Sequence, residues 1–156
     1  MGKFATGTGK FILFYHSYIA PMSRKINRVL LVDDDEDANF FQEKIIRKTG
    51  FAEQVDKACN GVEALEYLDE CIKGKHALPE IIFLDLNMPK MNGWLFLEKY
   101  NKFSEEIKSQ IVLIVLTSSV NPDDAERAKH TPEVKGYQNK FLNREQLGEI
   151  LKIMPM

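Results

Sequence analysis

The sequence predicts an α/β domain: a five-stranded parallel sheet with helices on both faces. Three observations predict it. The runs VLLV (29–32), IIFL (81–84) and IVLIVL (111–116) are apolar without alternation and rich in β-branched residues, as strands buried on both faces require. Helical apolar spacing occupies the stretches between and after them. The chain has 156 residues, enough for one full hydrophobic core.

The elements follow in order. The first strand covers 29–32, and the first helix carries Phe40, Phe41, Ile45 and Ile46 before stopping at Gly50. A weaker strand at 54–58 is polar enough for a sheet edge. Val62, Leu65, Leu68 and Ile72 mark a second helix from about Gly61. After the strand at 81–84, Asn92-Gly93 leads into a third helix with Trp94, Leu95, Leu97 and Tyr100. After the strand at 111–116, Asn121-Pro122-Asp123-Asp124 reads as a helix start. Asn is the N-cap, Pro takes the first position and acids fill the first turn. A last weak strand spans 134–138, and a fifth helix carries Leu147, Ile150, Leu151 and Met154. Five strands alternating with five helices imply right-handed crossovers. In the flavodoxin-like, doubly wound order 2-1-3-4-5, strands one and three are neighbours.

Composition narrows the function classes. Hydrophobic residues at 44% and charged residues at 28% describe an ordinary globular chain, and a net charge of −2 carries no basic excess for nucleic acid. Cys59 and Cys71 form no disulfide framework, which suits a reducing cytoplasm. His16, His76 and His130 pair with no cysteine at zinc spacing. Residues 1–24 read as a disordered extension, and 25–156 as the domain. The apolar piece at 11–15 is too short to span a bilayer and weak as a signal peptide, so no membrane partner is expected. GTGK at 7–10 is no phosphate loop, because Phe4 and Phe11 stand where that loop needs Gly and Ser or Thr. The domain is expected to act alone, without an attached effector.

Ligands of open α/β sheets bind beyond the carboxyl ends of the strands, where the winding reverses. Asp33-Asp34 end the first strand, Asp85 the third and Thr117-Ser118-Ser119 the fourth, while the fifth leads to Lys140. Clustered carboxylates hold Mg²⁺, a hydroxyl and an ammonium suit a phosphoryl group, and a carboxylate can be the nucleophile. The remaining acids of the run, Asp35, Glu36 and Asp37, are expected to face solvent at the positive end of the first helix.

These pieces, VLLVDDDED, ACNGVEAL (58–65), IIFLDLNMPKMNGW (81–94), VLTSS (115–119) and GYQNK (136–140), stand in an order and spacing that resembles the receiver domain of two-component response regulators. The likeness runs from residue 27 to 154, with the layout of the single-domain chemotaxis regulator. It implies that Asp85 accepts a phosphoryl group from a histidine kinase or phosphotransfer protein. It also implies that Asp33, Asp34, Asp85 and the main-chain carbonyl of Asn87 hold Mg²⁺. Thr117 and Lys140 would contact the phosphoryl oxygens, and Tyr137 would be the switch aromatic that follows Thr117. A face of the fourth helix, fifth strand and fifth helix would signal to a downstream protein, from a monomer or a weak phosphorylation-dependent homodimer.

One residue departs from the family pattern. Phe141 replaces the proline that usually follows the lysine through a cis peptide. A non-proline cis bond costs roughly 2.5–4 kcal/mol, against about 0.5–1 for X–Pro. The expectation is therefore either a trans Lys140–Phe141 bond with a displaced lysine, or a cis bond held by packing. Two rival readings fit less well. A haloacid-dehalogenase-like phosphatase wants a second Asp two residues after its nucleophile, where this chain has Asn87. A degenerate receiver that only docks partners usually lacks one of the acids, the hydroxyl or the lysine.

Overall fold

The computed structural model describes Met22 and residues 24–155. The expected disorder of residues 1–24 falls almost wholly outside that range. In chain order the elements are β1 (Ile26–Val32), α1 (Glu36–Thr49), β2 (Ala52–Ala58), α2 (Gly61–Ile72), β3 (Ile81–Leu84), α3 (Gly93–Tyr100), α4 (Glu105–Lys108), β4 (Val112–Thr117), α5 (Pro122–Lys129), β5 (Val134–Asn139) and α6 (Arg144–Ile153). The strands pair in parallel in the order β2-β1-β3-β4-β5. The described residues hold six helices rather than five, α4 being an extra turn capped by Ser104. Four residues are too few to show helical periodicity in a sequence.

Alternate residues of the inner strands feed two cores. Val29, Leu31, Phe83 and Ile114 face α1 and α6, where Ile46, Leu147 and Ile150 meet them. Leu30, Val32, Ile82 and Leu84 face α2 and α3, where Leu68, Phe96 and Leu97 meet them. Both sides of β3 and β4 are therefore buried, which is why their sequences show no polar alternation.

The α1 helix corrects one expectation. Ile46 is in the core, but Phe40 and Phe41 are 58% and 54% exposed, and the inward stripe is Ala38, Asn39, Gln42, Ile46 and Thr49. Polar bonds set this rotation. Asp35 caps the helix by accepting the Asp37 and Ala38 N–H groups, and Asn39 Nδ2 donates to the Asp33 carbonyl at 2.9 Å. Gln42 Oε1 accepts the Leu142 N–H at 3.0 Å. Two inward amides hide the stripe from a reading based on apolar spacing.

Candidate phosphoacceptor site

Strand register assembles the acid cluster. Val32 pairs with Leu84 at the carboxyl ends of β1 and β3, so Asp33 and Asp85 leave the sheet side by side. Backbone bonds extend each strand by a residue: Asp85 N–H donates to the Val32 carbonyl at 2.9 Å, and Asp33 N–H to the Ala58 carbonyl at 3.0 Å. Asp33 and Asp85 are each 5% exposed, whereas Asp34 faces solvent. One carboxylate oxygen from each of the three lies within 4.8 Å of the others.

Lys140 enters from the far side of the sheet. Thr117 pairs with Asn139, and Lys140 N–H donates to the Thr117 carbonyl at 3.0 Å. Its ammonium is 2.6 Å from Asp33 Oδ2 and 3.6 Å from Asp85 Oδ2. Burial pulls the Lys140 ammonium down, but the bond to Asp33 and the charge of Asp85 outweigh it and leave the pKa raised. The Lys140–Phe141 peptide is cis, and the lysine is not displaced from the acids. Around it, the half-exposed Phe141 ring meets Phe41 edge-on at 6.1 Å, and Gln42 accepts the Leu142 N–H. Of the two expected bonds the structure has the cis one, with the lysine in place.

Asp85 is the electrostatically costly member. Burial first, then the negative charge of Asp33, pushes its carboxyl up to about 6, while Lys140 and the Asn87 backbone N–H oppose the rise. Its Oδ1 is buried without a hydrogen-bond partner. A buried carboxylate oxygen left bare beside two more carboxylates fits a hard cation that takes oxygen ligands and keeps several waters, as Mg²⁺ does. Asp34 opens that side to water. Asn87 follows Asp85 on the same loop, and Gly93 lets the loop fold back. A Cβ at Gly93 would lie 2.7 Å from the Asp85 carbonyl oxygen and 2.8 Å from Leu86 Cα.

Thr117 is fully buried, with Oγ1 accepting the Ser119 N–H at 3.1 Å. Tyr137 is half-buried on β5, its hydroxyl shielded and unpartnered. The expected residues Asp33, Asp34, Asp85, Asn87, Thr117 and Lys140 therefore gather at one end of the sheet, with Tyr137 one strand outward. Sequence reasoning missed the supporting residues Asn39 and Gln42, and the exposure of the Phe40, Phe41 and Phe141 rings. Their signal was a polar pair at 39 and 42 displacing two aromatic residues from the core.

This fold and site define a receiver-type signalling domain. The family comparison agrees: residues 29–152 match the response regulator receiver domain, and the chain belongs to that family. It is 32% identical over 119 residues to a probable methanogenesis regulatory protein, FilR2, of Methanothrix harundinacea, covering 76% of this chain and 75% of that one. The crystal structure of a two-component response regulator from Cytophaga hutchinsonii superposes with a TM-score of 0.77 at 32% identity, over 83% of this chain and 96% of that chain. A sensor histidine kinase, CheAY, of Helicobacter pylori is 31% identical over 126 residues, 79% of this chain but 14% of the kinase. Among the described residues, no helix is long and apolar enough to cross a membrane.

Proposed function

We propose that this chain is a phospho-accepting switch. Asp85 takes a phosphoryl group from a histidine kinase or phosphotransfer protein, with Mg²⁺, in the cytoplasm, and the α5–β5–α6 face signals to a downstream protein. The observation that carries this reading is the buried Asp85 with its bare Oδ1, set between two carboxylates and an ammonium.

Asp85 is the nucleophile. A P–O bond forms at its carboxylate as the P–N bond of the donor phosphohistidine breaks, the electron pair remaining on the imidazole nitrogen. A carboxyl raised to about 6 is still mostly ionised near pH 7 and is a better nucleophile than an ordinary one. Asp33, Asp34, Asp85 and the Asn87 main-chain carbonyl would hold Mg²⁺, whose charge offsets that of the carboxylates and the incoming phosphoryl group. Lys140 neutralises charge from the opposite side, and the Thr117 hydroxyl donates to a phosphoryl oxygen after leaving the Ser119 N–H. Phosphorylation replaces a carboxylate with a group of more charge and more acceptors, which biases a two-state equilibrium in the α5–β5–α6 face. The switch acts as a monomer or as a weak homodimer formed on phosphorylation.

A donor that reaches a carboxylate 5% exposed must cover the rim around it. Phe40, Phe41 and Phe141 form an exposed aromatic cluster on α1 and the segment after Lys140, with ring centroids 5.7 and 6.1 Å apart. Exposed aromatic rings at this position support a protein donor, since a small phosphodonor needs no apolar contact. The test is incubation of the folded chain with a small phosphodonor and Mg²⁺. An acid-stable, base-labile phosphoryl adduct is expected, absent in Asp85→Asn. A folded, Mg²⁺-loaded sample that gains no adduct would overturn the reading.

A further inference from the structure

The loop between β4 and α5 carries a chain of polar contacts that phosphoryl transfer does not use. The Ser119 hydroxyl donates to Asp124 Oδ2 at 2.7 Å and accepts the Asn121 N–H at 3.2 Å. The other Asp124 oxygen receives a long bond, 3.4 Å, from Trp94 Nε1 on α3. One turn along α5, the Arg127 guanidinium lies over the Trp94 ring, 4.1 Å from its centroid. A single carboxylate thus ties the loop, α5 and α3 together.

We propose that Asp124 is a positioning residue: its carboxylate latches the β4–α5 loop to Trp94 through Ser119, and the latch opens when Thr117 turns to the phosphoryl group. Thr117 Oγ1 is the acceptor that holds the Ser119 N–H. When that oxygen turns to the phosphoryl group, the N–H loses its partner and the loop is left on the Ser119–Asp124 bond. Ser118 and Val120 are exposed, and Val120 is 96% so, which leaves the loop little apolar anchorage. The inference rests on Asp85 as phosphoacceptor.

Trp94 is the only tryptophan in the chain, so its emission reports the latch. The full chain is titrated with Mg²⁺ and beryllofluoride, a phosphoryl mimic on carboxylates, with occupancy followed by fluorine NMR. The wild type should show a saturable change in emission that Asp85→Asn abolishes. Asp124→Ala should start near the end-state emission, change little, and half-saturate at a concentration lower by about 3- to 10-fold, the weight of one hydrogen bond. Ser119→Ala should show the same gain from a wild-type starting emission. Wild-type midpoints and emission changes in both Asp124→Ala and Ser119→Ala would overturn the latch while leaving the phosphoacceptor in place. If Asp124→Ala does not fold, the Ser119→Ala midpoint decides alone. No fluorine signal on the wild type would sink the phosphoacceptor reading and the latch with it.

Discussion

Asp85→Asn should stabilise the metal-free protein, and the size of the gain follows from the acid cluster. The Asp85 carboxyl moves from 3.8 to about 6 on folding, through burial and the charge of Asp33. A rise of about two pH units corresponds to roughly 3 kcal/mol of ionisation cost at neutral pH. Because the folded value lies above the unfolded one, that cost is absent below about pH 4 and complete above about pH 6. Asparagine keeps the shape and removes the charge. The attraction of Lys140 at 3.6 Å is already contained in that shift, so the net gain is about 3 kcal/mol. For a domain of this size that is about 6–12 °C in Tm. The assay is thermal unfolding in a chelator between pH 4 and 8, followed by circular dichroism. The gap between variant and wild type should open as pH rises from about 4 to 6 and stay constant above. Saturating Mg²⁺ should then reverse the order, since ligand at about 1,000 times its Kd adds about 4.1 kcal/mol to the wild type alone. Equal stability at pH 7, or a gap of the same size at pH 4, would refute the electrostatic account.

Three further outcomes are expected. Asp34→Ala should weaken Mg²⁺ binding by at least about tenfold, roughly 1.4 kcal/mol, while Asp37→Ala, in the first turn of α1, should change it less than about twofold by calorimetry. Gly93→Ala should cost about 3 kcal/mol in urea unfolding, because its Cβ meets backbone atoms of Asp85 and Leu86. Gly61→Ala should cost less, since the atoms it meets belong to the Met91 side chain. The double substitution Phe40→Ala and Phe41→Ala should slow transfer from a kinase by about tenfold and leave modification by a small phosphodonor unchanged. Equal slowing with both donors would remove the docking role of the rings.

The sheet and its site were legible because both follow from local pattern. Strands buried on both faces write continuous apolar runs, and the reversal of winding beside β1 puts their terminal Asp33 and Asp85 together. The rotation of α1 was less legible. Apolar spacing chose Phe40 and Phe41 for the core, but Asn39 and Gln42 take the inward places, one bonded to the Asp33 carbonyl and the other to Leu142 N–H. An amide that serves a backbone 100 residues away leaves no periodic trace.

The acidic run at 33–37 shows how one composition signal divides once the backbone is in place. Asp33 has one oxygen on Lys140 and the other accepting the Asp35 N–H at 3.0 Å. Asp35 in turn caps α1 through the N–H groups of residues 37 and 38. The N-cap is therefore linked to the acid cluster by one hydrogen bond, and the two roles are adjacent rather than separate. Moving the start of α1 by a residue would turn Asn39 from the Asp33 carbonyl and Gln42 from the loop after Lys140. Both walls of the site would then shift together. The sequence places five acids in a row, but only the cap residue decides which of them face Asp85 and which face water.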